Sequence, residues 1–242
     1  MTLSIVVNFY NNEEGVDALI RNYESIVKRY PQQCELVLVD DHSDKVMDFS
    51  SYQSVPDLRI FRVLDDITWN QAGARNVGAL EARNQVILFM DVDHLIEPDQ
   101  VDLVLATARQ LRLGEKVTPS RRTFRKIGDQ REVEELKHNV NCFMIRRQDF
   151  FKVGGYDELF AGHYGREDSF FSLCCKRQGL ENKLGHFTLS NVKDRSTKGL
   201  DRDKYHNDIV FHNLTTAKMC KSSLAFSCNY EMVLQTNSRI GG

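Results

Sequence analysis

Short apolar runs alternate with helical patterns through the first half of the chain, and that alternation restricts the fold more than any other feature. The runs are Leu3 to Val7, Glu35 to Val39, Arg59 to Val63 and Val86 to Met90. Parallel strands need long crossovers, usually helical, so the pattern predicts βαβ units and a largely parallel sheet. Between the first two runs, Val16, Leu19, Ile20, Tyr23, Val27 and Tyr30 recur at helical spacing, and Pro31 marks the exit. Between the third and fourth, Gln71 to Arg83 carries Ala72, Gly73, Ala74, Gly78 and Ala79, small enough for a helix to lie close on the sheet with its N-terminus facing the strand ends. Pro98 and Asp99 read as a further helix start, and Val101, Val104, Leu105, Ala108 and Leu111 as its buried stripe up to Gly114.

The second half is less regular. Thr118 to Glu135 is highly charged without apolar periodicity and reads as a loop or edge excursion. Order returns with Asn141 to Ile145, a short helix from Gln148 to Val153 stopped by Gly154 and Gly155, and a helix from about Glu167 to Gln178 stopped by Gly179. The tail from Asp194 to Gly242 suits a helix across the cleft, a lid or an interface, and its sequence does not choose. At 242 residues and 41% hydrophobic content, the expected class is one α/β domain with a Rossmann-like, mostly parallel central sheet and flanking helices.

Charge and hydropathy exclude some functions. With 32 Lys+Arg against 34 Asp+Glu there is no basic field for nucleic acid. No apolar run approaches the roughly 20 residues of a transmembrane helix. The first residues lack the pattern of a signal peptide, and the six cysteines have no CxxC or zinc spacing. A cytoplasmic location is the expectation, with peripheral contact to a membrane left open.

In an open α/β sheet, ligands bind beyond the carboxyl ends of the strands. Two runs end there in acids: Val39 into Asp40-Asp41-His42-Ser43, and Met90 into Asp91-Val92-Asp93-His94. Carboxylates two residues apart at a strand end can hold a hard divalent cation, Mn²⁺ or Mg²⁺, against a diphosphate. The plain alternative is that Asp91 and Asp93 start a turn, and Asp41 likewise.

The order of the pieces resembles family 2 glycosyltransferases. Ser4 to Asn11 is similar to that family's opening strand, and Leu38 to Ser43 to its second strand with a DDxS ending. Ala74-Arg75-Asn76-Val77-Gly78 matches its ARNxG element, followed by the DxD of Asp91 and Asp93. Gly154-Gly155-Tyr156-Asp157-Glu158 and Gly165-Arg166-Glu167-Asp168 resemble its GG(F/Y)DE and G-x-ED pair.

The resemblance spans about Leu3 to Leu189 and implies an A-type glycosyltransferase fold. Residues 1–114 would form the nucleotide-sugar half, 115–190 the acceptor and catalytic half, and 191–242 a tail or lid. It implies a metal-dependent, inverting transfer from a nucleotide sugar, UDP-linked or next dTDP-linked, to a hydroxyl of a glycan or other acceptor. Asn8, Tyr10 and Asp41 would hold the base; an ionised Asp41 accepts the imide N–H of a uracil. Arg75 would meet the diphosphate or orient the metal carboxylates, with Trp69 and Asn70 near the nucleotide. Asp91 and Asp93 would hold the metal, with His186 as a third ligand, although the second histidine of the family's usual pair is missing. Asp168 would act as base and Glu167 would hold the acceptor; both also fit as acids favoured by a helix N-terminus. His94 receives no role. The competing classes are a non-catalytic nucleotide-sugar or glycan binder of the same fold and a nucleotidyltransferase, which would want a glycine- and basic-rich loop where Asn8 to Gly15 is acidic.

Overall fold

A computed structural model of the chain describes residues 2–127, 130–138, 141–191 and 199–237, with the side chains of 123–137 outside the description. Its first strands follow the apolar runs: β1 (Leu3–Phe9), β2 (Cys34–Asp40), β3 (Leu58–Val63) and β4 (Val86–Asp91). They pair in parallel in the order β3-β2-β1-β4. The middle strands are buried on both faces, which is why they read as unbroken apolar runs rather than alternating ones.

Helices cover both faces. α1 (Glu13–Arg29) and α3 (Val101–Gln110) pack with Ile5, Val7, Leu36 and Leu38 on one side. α2 (Gln71–Glu81), α4 (Arg147–Val153) and α5 (Glu167–Arg177) pack with Val6, Val37, Val39 and Phe89 on the other. The small residues of α2 permit its close approach: a Cβ on Gly78 would stand 2.3 Å from Val6 Cγ1. α3 begins at Val101, after the Pro98-Asp99 start signal.

Beyond β4 the sheet turns mixed. β8 (Phe143–Arg146) runs antiparallel to β4, and β6 (Glu115–Ile127) antiparallel to β8. β9 (Glu181–Asn191) lies parallel to β6, and the two-residue β5 (His94–Leu95) closes the edge against it. The charged stretch expected as a loop or edge excursion is the hairpin of β6 with β7 (Gln130–His138), an excursion off the sheet path. Adjacent charged pairs such as Arg121-Arg122, Arg125-Lys126 and Glu134-Glu135 break the period of two, and the Gly128-Asp129 pair is the hairpin signal in that stretch; these two residues lie outside the description. From the tail, α6 (Tyr205–Thr216) packs beside the 3-10 turn Glu158–Phe160, and β10 (Tyr230–Gln235) adds antiparallel to β3. Among the described residues the parallel core is therefore four strands within a ten-stranded sheet.

Candidate active site

The carboxyl ends of β1, β2 and β4 set the first residues of the site. Asn8 pairs in register with Val39 on one side and Asp91 on the other, so the ends of three strands meet at one edge. They line a cleft of about 250 Å³ that includes Asn8, Tyr10, Asp41, Trp69, Asp91 and Asp93. A second hollow of about 370 Å³ holds Glu167, Asp168, Ser172 and Lys204 and shares Gln71, Asn141 and Tyr164 with the first. Several non-glycine residues on the surrounding loops, Asn11, His42, Trp69 and Arg166, have φ between 47° and 78°. Such conformations cost energy and cluster where surrounding structure over-determines a loop.

Asp41 is 7% exposed, and its Oδ1 has no hydrogen-bond partner among the described residues. Burial, with the neighbouring Asp40, pushes its carboxyl up to about 8, against hydrogen bonds from Asn70. Asp40 is occupied elsewhere, ion-paired with Arg62. Asp41 lines the cleft, and a buried acceptor without a partner beside it is what a base N–H would satisfy. Asn70 is fully buried and caps α2, its Oδ1 accepting from the Gly73 N–H at 3.2 Å. Tyr10 is held at the rim by its hydroxyl, which donates to Asp44 at 3.1 Å.

Arg75 ties the two hollows together. It is 1% exposed, yet Nη2 lies 2.7 Å from Asp91 Oδ1 and Nη1 lies 2.8 Å from Asp168 Oδ1. Nη1 also donates to Tyr156 Oη at 2.6 Å, and Nε to Asn8 Oδ1 at 3.4 Å. Burial opposes the charge, but Tyr156, Asp168 and Asp91 outweigh it and keep the guanidinium protonated. On Asp91, burial raises the carboxyl pKa against the pull of Arg75 and His94.

Asp93 is 25% exposed and held from two sides. Asn191 Nδ2 donates to Oδ2 at 2.7 Å, and His94 Nδ1 lies 2.6 Å from Oδ1. Burial works against ionisation, but these contacts outweigh it and hold the carboxyl below its usual range. An ionised, partly exposed carboxylate beside Asp91 is the oxygen donor set that Mn²⁺ or Mg²⁺ wants, so the two acids fit a hard cation.

His186 does not join them. The register of β9 sets Asn191, not His186, opposite His94, and His186 lies five residues earlier on an exposed position, roughly 15 Å along the strand. The strand brings an amide to Asp93 where a third ligand was expected. Among the described residues the ligand atoms that gather are those of Asp91, His94 and Cys142, all within 4.8 Å of one another. Burial raises the Cys142 thiol well above its usual value, and its S–H faces Asp91.

Across the cleft, both oxygens of Asp168 are oriented. Tyr156 Oη donates to Oδ1 at 2.8 Å and Gln71 Nε2 to Oδ2 at 3.3 Å. Glu167 differs: its Oε2 is buried without a partner among the described residues, and burial with the adjacent Asp168 lifts its carboxyl to about 7. Tyr156, Gln71 and Asn191 carry much of this geometry and had no role in the sequence reading. Tyr156 lay inside a motif that had been recognised, whereas Asn191 carried no signal.

The tail reaches the cleft too. Trp69 and Tyr164 have ring centroids 4.8 Å apart, and the Arg202 guanidinium lies 5.5 Å and 5.1 Å from them. Trp69 Nε1 donates to the Asp201 carbonyl at 2.7 Å. No helix among the described residues is long and apolar enough to cross a membrane.

Comparison with known proteins agrees with this architecture. The solved structure of S. aureus TarS 1-349 in complex with UDP-GlcNAc is similar at a TM-score of 0.65 and 13% identity, covering 94% of this chain and 69% of that one. GalNAc-T7 with UDP, GalNAc and Mn²⁺ is similar at 0.60 and 20% identity, covering 80% of this chain and 44% of that one. At those identities the likeness shows the fold, an A-type glycosyltransferase fold. Among curated proteins, the undecaprenyl-phosphate 4-deoxy-4-formamido-L-arabinose transferase of Photorhabdus laumondii is 29% identical over 125 residues, 51% of this chain and 38% of its own. N-acetylgalactosaminyltransferase 6 of Drosophila melanogaster is 26% identical over 195 residues, 65% of this chain and 29% of its own. The chain thus spans well under half the length of these curated relatives. The family model described as Glycosyl transferase family 2 matches residues 4–162, which carry the strand-end acids, Arg75 and Tyr156, and the chain belongs to that family.

Proposed function

We propose that the chain transfers a sugar from a nucleoside-diphosphate sugar, of the UDP type, to a hydroxyl acceptor with inversion at the anomeric carbon. The observation that carries this reading is the Arg75 bridge. It sets a donor-side carboxylate and an acceptor-side carboxylate on opposite flanks of one cleft. The UDP sugar in the TarS structure and the UDP and Mn²⁺ in the GalNAc-T7 structure support the donor class and the metal.

In this reading Asp41 accepts the base N–H, Asn8 and Tyr10 flank the base, and Asn70 fixes the start of α2 beside Asp41. A Mn²⁺ or Mg²⁺ ion held by Asp93 with Asp91 would neutralise charge on the departing diphosphate. Arg75 holds Asp91 in place and lends its own positive charge to that side. Asp168, oriented by Tyr156 and Gln71, takes the proton of the acceptor hydroxyl as its oxygen bonds to the anomeric carbon. The bond from that carbon to the diphosphate oxygen breaks, and its electron pair leaves with the nucleotide. Glu167 holds the acceptor. Two observations favour a second reading, with Glu167 as the base: its raised carboxyl pKa and its unpartnered Oε2.

Thermal unfolding with UDP, GDP, CMP and dTDP, each with and without Mn²⁺, tests the proposal, because a ligand that binds the native state raises its midpoint. The expected result is a shift with UDP that grows with Mn²⁺. No shift with any nucleotide would remove the donor cleft, and with it the transfer reaction.

A further inference from the structure

The loop that presents Glu167 and Asp168 is fastened from the tail. Asn207, on α6, is fully buried, and the two N–H groups of its Nδ2 serve three backbone carbonyls of that loop, one N–H being shared: Gly165 at 2.7 Å, His163 at 2.9 Å and Phe160 at 3.0 Å. Its own Oδ1 has no partner among the described residues. The cost of burying that oxygen unpaired is offset by what the donor side of the amide holds.

The next residue repeats the contact. Asp208 Oδ1 lies 2.5 Å from Arg166 Nε, and the Arg166 guanidinium sits 5.5 Å from the Phe211 ring centroid. Arg166 is the N-cap of α5, with φ at 78°, immediately before Glu167. A non-glycine residue stays in that region only when neighbours hold it there. His163 and His206 stack at 3.8 Å between centroids, a third link between loop and helix. Every contact acts on residues 160–166 and none touches the strand-end acids.

We infer that Asn207 is a positioning residue: α6 sets the height and angle at which α5 starts, and so where Glu167 and Asp168 stand relative to the donor cleft. The inference rests on the assignment of those two acids as the acceptor-activating pair. It makes the tail a working part of the acceptor side, acting through backbone carbonyls.

Trp69 is the sole tryptophan and touches Tyr164 of the loop, so its emission reads loop position whatever the donor. In the full chain, Asn207→Ala is expected to shift that emission and increase its quenching by acrylamide while Mn²⁺-dependent UDP affinity holds. Turnover, read as UDP released from UDP-N-acetylglucosamine with water in the acceptor position, should fall on the order of 10²-fold through kcat, with donor KM little changed. Asp208→Ala, at an exposed position, removes the Arg166 contact without leaving a buried group unpaired, and should move emission and kcat the same way by less. Wild-type emission and kcat in a folded Asn207→Ala overturn the inference, as does a loss of UDP affinity in step with turnover. Should Asn207→Ala not fold, unchanged values in Asp208→Ala overturn it. Asp168→Asn measured alongside separates the two readings. Full turnover both there and in Glu167→Gln removes the acceptor-activating pair and this inference with it. An inactive Asp168→Asn beside a fully active Asn207→Ala removes the inference alone.

Discussion

Arg75 and Asp168 come from the second helix and the fifth, 93 residues apart in sequence, and meet at 2.8 Å with the guanidinium almost wholly buried. The same guanidinium reaches Asp91 at 2.7 Å. Removing it strands two partly buried carboxylates side by side. Arg75→Ala is expected to lower unfolding free energy on the order of 3–5 kcal/mol. Arg75→Lys keeps the charge but cannot span both acids, so it should keep most of the fold and lose turnover. Urea titration of both variants checks this, and equal stability of Arg75→Ala and wild type would show that the bridge is not what holds the acids.

The acidic pair at the end of β4 predicts a separation of effects. Asp93→Ala should abolish the Mn²⁺-dependent part of UDP affinity and leave the metal-free part intact. Asp93 is partly exposed, so the fold should change little. Calorimetry with and without Mn²⁺ reads both parts, and unchanged Mn²⁺ dependence would place the cation elsewhere. His186→Ala serves as the control, expected to be silent because its strand position keeps it away from the pair.

What was legible in the sequence follows from what each residue is asked to do. Asp41 and Asp91 were readable because parallel strands buried on both faces are apolar throughout, so an acid at their ends stands out. Arg75 was readable within its motif, but its contact with Asp168 depends on how far α2 sinks against β1 at Gly78, a packing distance with no sequence pattern. The distance of His186 from Asp93 is not legible because it is fixed by the register of β9, which only the paired strand β5 reveals. Asn207 was invisible: an asparagine serving backbone carbonyls some 40 residues away looks like any helix-surface amide.

Asp41 predicts an unusual pH dependence. Its carboxyl is raised to about 8 in the fold from 3.8. The stability tied to its protonated form is therefore complete below the unfolded value and is lost as pH rises through the folded one. Between those values the loss approaches about 1.4 kcal/mol per pH unit. Asp41→Asn cannot ionise, so its melting temperature should exceed that of wild type at pH 9 by clearly more than at pH 5. An equal difference at both values would show that Asp41 ionises without penalty. Asp41→Ala should weaken UDP binding whether or not Mn²⁺ is present, which separates it from Asp93→Ala.

The last prediction decides which acid of the pair takes the proton. Asp168→Asn preserves shape and can still accept from Tyr156, but an amide is no base at neutral pH. If Asp168 is the base, turnover should fall on the order of 10²- to 10⁴-fold while UDP affinity, made at Asp41 and the metal site, stays near wild type. Glu167→Gln should then act chiefly on acceptor KM. If Glu167 is the base, the pattern reverses. Wild-type turnover should climb as pH rises through about 7, because only the ionised carboxylate can take a proton, and Glu167→Gln should flatten that climb. The two cases give opposite results in the same assays, so a rate within a few-fold of wild type in Asp168→Asn removes it as base. Product stereochemistry closes the question from the chemical side. Direct attack by the deprotonated acceptor oxygen on the anomeric carbon inverts its configuration, so a retained configuration would exclude the single displacement, whichever acid takes the proton.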